Sequence, residues 1–497
     1  MRRDGQVRGA SISPKGAVEP GDAGQDVLRG PSTSIAASSA WFSRMTDIWW
    51  RRNAGRSAID AARQSRIADL IAFAREHSPV YQRAWHALPQ RKIALAELPV
   101  AAKHELMARF DDWVTDRRVD RLGIKAFLDD RTHIGERYLD RYLVWKSSGS
   151  TGELGIFVQD ASALATYDAL IAVQLASVRL AGPYAWGLLA RGGRAALIAA
   201  TGDHFASIAS WQRECRGTPW PNGRAFSVMD PHTSLVGELN AYQPAFLASY
   251  PIVLAQLADE QTAGRLRIAP ACLWSGGECL AQATGTAIER AFGCALINEY
   301  GASECMSIAY GCREGWLHVN DDWVVLEPVD RDYRPTPPGE ASHTVLLTNL
   351  ANRVQPVIRY DLGDSVVAKP GRCACGSPLS AIRAEGRHDE VLALESADGR
   401  TVTVLPLALT TVVEDAANVH RFQIVQRAPD RLALRLDPSD ADRRKIAWHA
   451  AAKALRRYLA EQSLANVEIV LDRSPPIADP RSGKLREVIV EHPQRAR

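Results

Sequence analysis

The chain has 497 residues, 46% of them hydrophobic and 24% charged, and a formal net charge of +3. That length exceeds one ordinary core and implies two or more globular domains. So small a charge, with no long lysine/arginine run, gives no reason to expect a nucleic-acid or anionic-membrane partner, and no apolar stretch nears the ~18–20 residues of a membrane span.

Residues 1–40 are rich in Gly, Ser, Ala and Pro and lack the apolar core of a secretory signal, while Asp4, Glu19, Asp22 and Asp26 argue against a transit peptide. They are expected to form a disordered tail. The eight cysteines lack the dense spacing of a secreted disulfide scaffold, which points to a reducing cytoplasm. From residue 41 the pattern is helical: Ile67, Leu70, Ile71 and Ala74 recur at helix spacing until Ser78-Pro79 stops the run. Charged helical sequence continues to about Asp140. RYLVWK then predicts a strand, IFVQD a returning strand, and SALATYDALIAVQLASVRLAG a long amphipathic helix.

Between Ala195 and Glu304 the apolar runs AALIAAT, AFLASY, ACLWSG and ALINEY alternate with helical stretches such as PIVLAQLADEQTAG. That alternation predicts an α/β domain with a largely parallel sheet. Residues 316–382 read as β-rich, and TVTVLP, FQIVQ, LALRL and VEIVLD as strands of a small α+β unit. The expected class is α/β: a large multi-subdomain N-terminal domain over residues 41–385 and a small mobile C-terminal α+β domain over residues 386–497, hinged near Gly386.

The strand pair flanks KSSGSTGELG. No GxxxxGK[ST] occurs, so this is not a Walker-type cradle. Ser147, Ser148, Ser150 and Thr151 offer hydroxyls, and Gly149 and Gly152 let backbone N–H groups approach an anion. By its own residues the stretch reads as a plain turn or linker, or as a loop that grips phosphate. It heads an ordered series: NEYGASE (298–304), IRYDLGD (358–364), GRHDE (386–390) and DPRSGKLRE (479–487).

This order and spacing resemble the adenylate-forming superfamily of acyl-CoA ligases and adenylation domains, over roughly residues 60–490. SSGSTGELGIFVQD, EYGASE and REHSPVYQRAW carry a narrower likeness to phenylacetate-CoA ligases and related aryl-CoA ligases. The resemblance implies ATP-dependent, AMP-forming activation of an aryl carboxylic acid, then thioester formation with CoA. An alternative it also implies is a freestanding adenylating enzyme that passes the acyl group to a carrier-protein thiol or an amine. A catalytically silent, zinc-stabilised binding protein is a third reading, and the retained motif residues argue against it.

In such chemistry a carboxylate attacks the α-phosphate of ATP, so two anions must be held together and their charge neutralised. By the resemblance, Ser147 and the run Ser148, Gly149, Ser150, Thr151 and Gly152 would wrap the β- and γ-phosphates. Tyr300, flanked by Glu299 and Gly301, would stack on adenine, with Gly276 and Gly277 of WSGGE as the pocket wall. Glu304 would hold Mg²⁺, Asp364 and Arg387 would bind the ribose, and Lys484 would bridge carboxylate and α-phosphate. Asp389 matches the hinge. His204 and Phe205 of TGDHFAS, with Tyr250 of ASYP, would line the acid pocket. Two departures stand out: the loop ends in TGELG without the lysine many relatives carry, and ALESADGRTVTVLP replaces the glycine-rich continuation after the hinge.

Cys312 and His318 lie in CREGWLH, and Cys373 and Cys375 in GRCACGSP. Three thiolates and an imidazole suit tetrahedral Zn²⁺ in a closed, structural site. By spacing alone they read equally as four unrelated residues of a reduced protein. Similar Cys/His constellations at this place in some aryl-CoA-ligase relatives favour zinc. The expected partners are a small aryl acid, ATP, and CoA or a carrier protein, with the chain a monomer or homodimer.

Overall fold

The structure is a computed structural model that describes residues 30–89, 93–147, 155–177, 192–217, 222–277, 280, 282–384, 392–404, 406–417, 419, 422–436, 441–477 and 487–491. The N-terminal helices Gly30–Ala54 and Arg56–His77 meet at Gly55, whose φ of 93° suits a residue without a side chain. The second helix stops at Ser78-Pro79, as the sequence predicts. The first begins at Gly30, which corrects the tail boundary at residue 40 for 30–40; residues 1–29 lie outside the described residues. Both helices are pinned by charge: Arg52 pairs with Asp322 at 3.2 Å and Arg56 with Asp321 at 2.6 Å.

Strands β1 (Arg137–Tyr138), β2 (Tyr142–Lys146) and β3 (Ile156–Gln159) form an antiparallel sheet, and the serine- and glycine-rich loop joins β2 to β3. Next come β4 (Ala195–Ala199), β5 (Gly223–Ser227), β6 (Phe246–Ser249), β7 (Cys272–Ser275) and β8 (Ala295–Ala302). All are parallel in the order β8-β7-β6-β4-β5. The apolar runs of β4, β6 and β7 are buried along their whole length, as interior parallel strands require, while β5 at the edge is part-exposed. The sheet continues antiparallel through β9 (Cys305–Gly311) and β10 (Leu317–Val319). Strands β11 (Val324–Val329), β12 (Thr344–Asn349) and β13 (Val357–Asp361) make a separate antiparallel sheet. Finally β14 (Val366–Ala368) and β15 (Ala381–Ala384) complete the nine-stranded sheet beside β10. The expected parallel sheet is therefore half of a mixed one.

Beyond residue 391 the stretch that departs from the family pattern folds as the hairpin β16 (Leu392–Glu395) and β17 (Thr401–Val404). A four-stranded sheet follows, β20 (Glu468–Asp472), β19 (Arg431–Leu436), β18 (Phe422–Ala428) and β21 (Val488–Val490), with helices Pro406–Ala417 and Ala441–Glu461. This is the expected small α+β unit, and its apolar core is continuous with that of the parallel strands. No helix among the described residues is long and apolar enough to cross a membrane.

Candidate active site

Parallel strands end on one side of their sheet, and the chain leaving them builds a crevice there. Here the C-terminal ends of β6, β7 and β8 deliver Tyr250, Gly276-Gly277 and Tyr300 to one edge. Gly276 N–H donates to Ser249 O at 3.2 Å. Gly277 has φ 83°, and a Cβ there would lie 3.1 Å from the Tyr250 ring, so the glycine pair lets chain and ring close together. Tyr250 in turn receives the Ala200 N–H at 3.4 Å.

After β13 the chain turns through Gly363, at φ 78°, and returns Asp364 to β8. There Tyr300 donates its phenol to Asp364 Oδ2 at 2.7 Å. Thus the residues expected at adenine and ribose are neighbours, although 64 positions separate them. Gly301 is obligatory at this place, because a Cβ would meet Met306 O at 2.0 Å. Glu304 sits in the tight turn between β8 and β9, buried. Tyr360 donates to its Oε1 at 2.8 Å, and Asn349 Nδ2 to its main-chain oxygen at 3.0 Å. Trp145 Nε1 holds the preceding Ser303 O at 2.8 Å. A carboxylate fixed this firmly has the hard oxygen donor that Mg²⁺ on a polyphosphate takes.

Glu299 behaves differently from its neighbour. Side chains alternate along a strand, and Glu299 turns to the opposite face from Tyr300, accepting from Trp274 Nε1 at 3.0 Å. Burial pushes its carboxyl up to about 7 against the favourable bonds of Ser307 and Trp274. It therefore lies away from the Tyr300–Asp364 pair.

At the base of the loop, Ser147 is clamped to Gly155: Ser147 N–H donates to Gly155 O at 2.8 Å, and Gly155 N–H to Ser147 Oγ at 3.0 Å. Lys103 Nζ donates to the same hydroxyl at 3.3 Å. One residue upstream, Lys146 N–H donates to His204 O at 2.8 Å, and its ammonium pairs with Asp203. Lys146 thus ties the loop to the TGDHFAS segment. Phe205 is buried beside β2 at the start of helix Ala206–Gly217. His204 is fully buried and faces elsewhere: its Nε2 contacts Asp130 O at 3.0 Å and its ring lies 5.7 Å from Phe127. Burial holds its imidazole below the usual range. That is the environment of a structural histidine.

Cys312, His318, Cys373 and Cys375 do come together, their ligand atoms all within 4.8 Å of one another. Antiparallel pairing of β10 with β9 and β15 brings the two halves into one place. Cys312 Sγ and Cys373 Sγ are 3.8 Å apart, near the ~3.8 Å that two sulfurs 2.3 Å from a tetrahedral zinc would adopt. His318 Nε2 lies 3.0 Å from Cys375 Sγ, and burial keeps its imidazole in the neutral, ligating form. Donor set and spacing fit a structural Zn²⁺.

Ser148, Gly149, Ser150, Thr151, Gly152, Arg387, Asp389 and Lys484 lie outside the described residues. Sequence reasoning passed over Lys146, Tyr360, Asp203 and Trp274. Two signals were available: Lys146 immediately precedes the loop that lacks its usual lysine, and Tyr360 stands inside IRYDLGD.

Comparison with known proteins bears on the fold. No family model matches the chain. Over 133 residues the chain is 26% identical to protein CapK of Staphylococcus aureus, a match that spans 26% of this chain and only 28% of that relative's length. Among solved structures, 2-hydroxyisobutyryl-CoA ligase in complex with 2-HIB-AMP and CoA in the thioesterification state is similar over 88% of this chain and 91% of its own, with 22% identity and a TM-score of 0.55. A benzoate CoA ligase from Burkholderia xenovorans LB400 is similar over 70% of this chain and 68% of its own, at 16% identity and a TM-score of 0.35.

Proposed function

From the adenylate-forming fold as premise, we propose that the protein is an AMP-forming acid–thiol ligase. A carboxylate oxygen attacks the α-phosphate of ATP, pyrophosphate leaves, and an acyl adenylate forms. The thiol of CoA then attacks the acyl carbon, and AMP leaves with the bond electrons. The observation that carries this reading is the convergence at one sheet edge of Tyr300, Asp364 and Gly276-Gly277, beside the rigidly held Glu304.

In this reading Tyr300 stacks on adenine, and Asp364 accepts from the ribose hydroxyls while keeping the Tyr300 phenol in place. Glu304 would hold Mg²⁺, which supplies charge neutralisation at the phosphates when bound. Lys103, beside the loop that lacks a lysine of its own, would contribute positive potential at its base, while Lys146, paired with Asp203, anchors that base. Lys484 and Arg387 keep the roles the resemblance implies, and Asp389 remains the proposed hinge. The aryl acid is the finer part of the proposal, and it rests on the likeness carried by SSGSTGELGIFVQD, EYGASE and REHSPVYQRAW. Zn²⁺ would stabilise the β9–β10–β15 region without entering the chemistry.

The test is pyrophosphate release from ATP and Mg²⁺ across a panel of aryl and aliphatic acids, with and without CoA. Acid-dependent release with acyl-CoA as product is expected. Acyl-AMP that gives no thioester with CoA redirects the second step to a carrier protein or amine, and release with no acid in the panel overturns the proposal.

A further inference from the structure

The face of β8 that carries Glu299 holds a charged arrangement that adenylate chemistry does not use. Helix Ala206–Gly217 begins directly after Phe205, in the segment tied to the loop through Lys146, and its last turns carry Arg213 and Glu214. Arg213 is committed to Asp168, with two bonds of 3.1 and 2.5 Å, and makes one longer contact of 3.4 Å to Glu214. One guanidinium therefore serves two carboxyls. Glu299 is a third, close enough to Glu214 for their charges to repel.

Glu299 is half satisfied. Its Oε2 accepts from Trp274 Nε1, whereas its buried Oε1 has no hydrogen bond of good geometry, the Ser307 hydroxyl being the other donor at hand. A buried acceptor so poorly served gains from one more well-aligned donor. Gly276, the wall residue expected beside the nucleotide, lies against the same spot: a Cβ there would be in ordinary contact, 3.9 Å from Trp274 Nε1 and 3.7 Å from the main-chain oxygen of Glu299. Burial raises Glu214 and Glu299 each to about 7, so an added cation would convert both to carboxylates and relieve the imbalance.

We propose that the acid substrate carries an amino group, which donates to Glu299 Oε1 beside the Trp274 indole while the substrate carboxylate points to the nucleotide edge. The inference rests on the ligase reading and narrows its substrate to amine-bearing acids. Trp274 offers the ring of an aromatic substrate a flat partner, and its N–H holds Glu299 in the receiving orientation. Glu214, coupled electrostatically to Glu299, adds negative potential there.

The experiment is acid-dependent ATP–pyrophosphate exchange with matched pairs that exchange an ammonium for a methyl group: 3-(aminomethyl)benzoate against 3-ethylbenzoate, 4-(aminomethyl)benzoate against 4-ethylbenzoate, and β-alanine against butanoate. At least one amino acid member is expected to exceed its methyl partner in kcat/KM by roughly tenfold to a hundredfold, the worth of a buried charge-assisted bond. Glu299→Gln should bring that ratio near unity, and Glu214→Gln should lower it less. The ratio cancels any general loss from imperfect folding, and Glu214→Gln supplies a second reading. Methyl partners equal or better in every pair, or an unchanged ratio in Glu299→Gln, would overturn the amine assignment alone. Absence of exchange with every acid would overturn the ligase reading on which it stands.

Discussion

Tyr360 donates its phenol to Glu304 Oε1 at 2.8 Å, joining the turn after β8 to the middle of β13 across 56 residues. Both side chains are buried, so neither has water as a substitute. Tyr360→Phe leaves the oxygen orphaned, at a cost of about 1–3 kcal/mol. The expected result is lower stability in denaturant, together with a rise in the Mg·ATP KM as the carboxylate loses its orientation. Unchanged ATP kinetics would separate Glu304 from nucleotide binding.

Two glycines at the proposed nucleotide edge should respond in opposite ways. Gly301→Ala would place a Cβ 2.0 Å from Met306 O, a backbone atom that moves only if β8 and β9 part. A loss above about 3 kcal/mol is expected, or failure to fold. Gly276→Ala meets nothing closer than 3.7 Å and should fold normally. Thermal melts of the two variants check this.

Metal analysis addresses the Cys/His cluster. About one zinc per chain is expected in untreated protein, and Cys375→Ser should lower both the zinc content and the melting temperature. Stoichiometry near zero would assign the four side chains to packing alone. The fold brings their ligand atoms within 4.8 Å of one another, as zinc requires.

Glu414 of helix Pro406–Ala417 projects toward Lys146 and Asp203, and Asp415 beside it pairs with Arg131 at 2.8 Å. Burial, reinforced by Asp203 and Asp415 and opposed by Lys146, raises Glu414 to about 7. A carboxyl whose folded value lies above its unfolded value binds more protons when folded. Its contribution to stability is therefore full below about 4.5 and is lost as pH rises toward about 7. Glu414→Gln keeps the neutral form at every pH. Its stability relative to the parent should grow between pH 5 and pH 8 by roughly 1–3 kcal/mol. Parallel denaturation curves at the two pH values would show that the helix does not dock there.

The strands were legible because their signals are local. VWK, IFVQ, AALIA, FLAS, CLWS and the small-domain runs are short apolar segments bounded by turn residues, and each became a strand. The helix from Gly30 was hidden for the converse reason. Its opening GPSTSIAASS is a poor helix by composition, and the helix it begins is held by distant partners, Ile48 in the core and Arg52 on Asp322. His204 shows the same limit within the site. Its type suggested a carboxylate ligand, but only packing against Phe127 and Asp130 decided where the ring points.

By itself the sequence determined the motif order and the run of parallel strands, and the resemblance those motifs carry proposed Tyr300, Glu304 and Asp364 as a set. Periodicity and turn chemistry act over a few residues, so one chain is enough to read them. Only the tertiary structure decided that Tyr360 holds Glu304, that Glu299 turns its back on Tyr300, and that four Cys and His side chains share one corner. Those contacts join residues distant in the chain through sheet order and crossing connections, and no local preference encodes which strand will lie beside which.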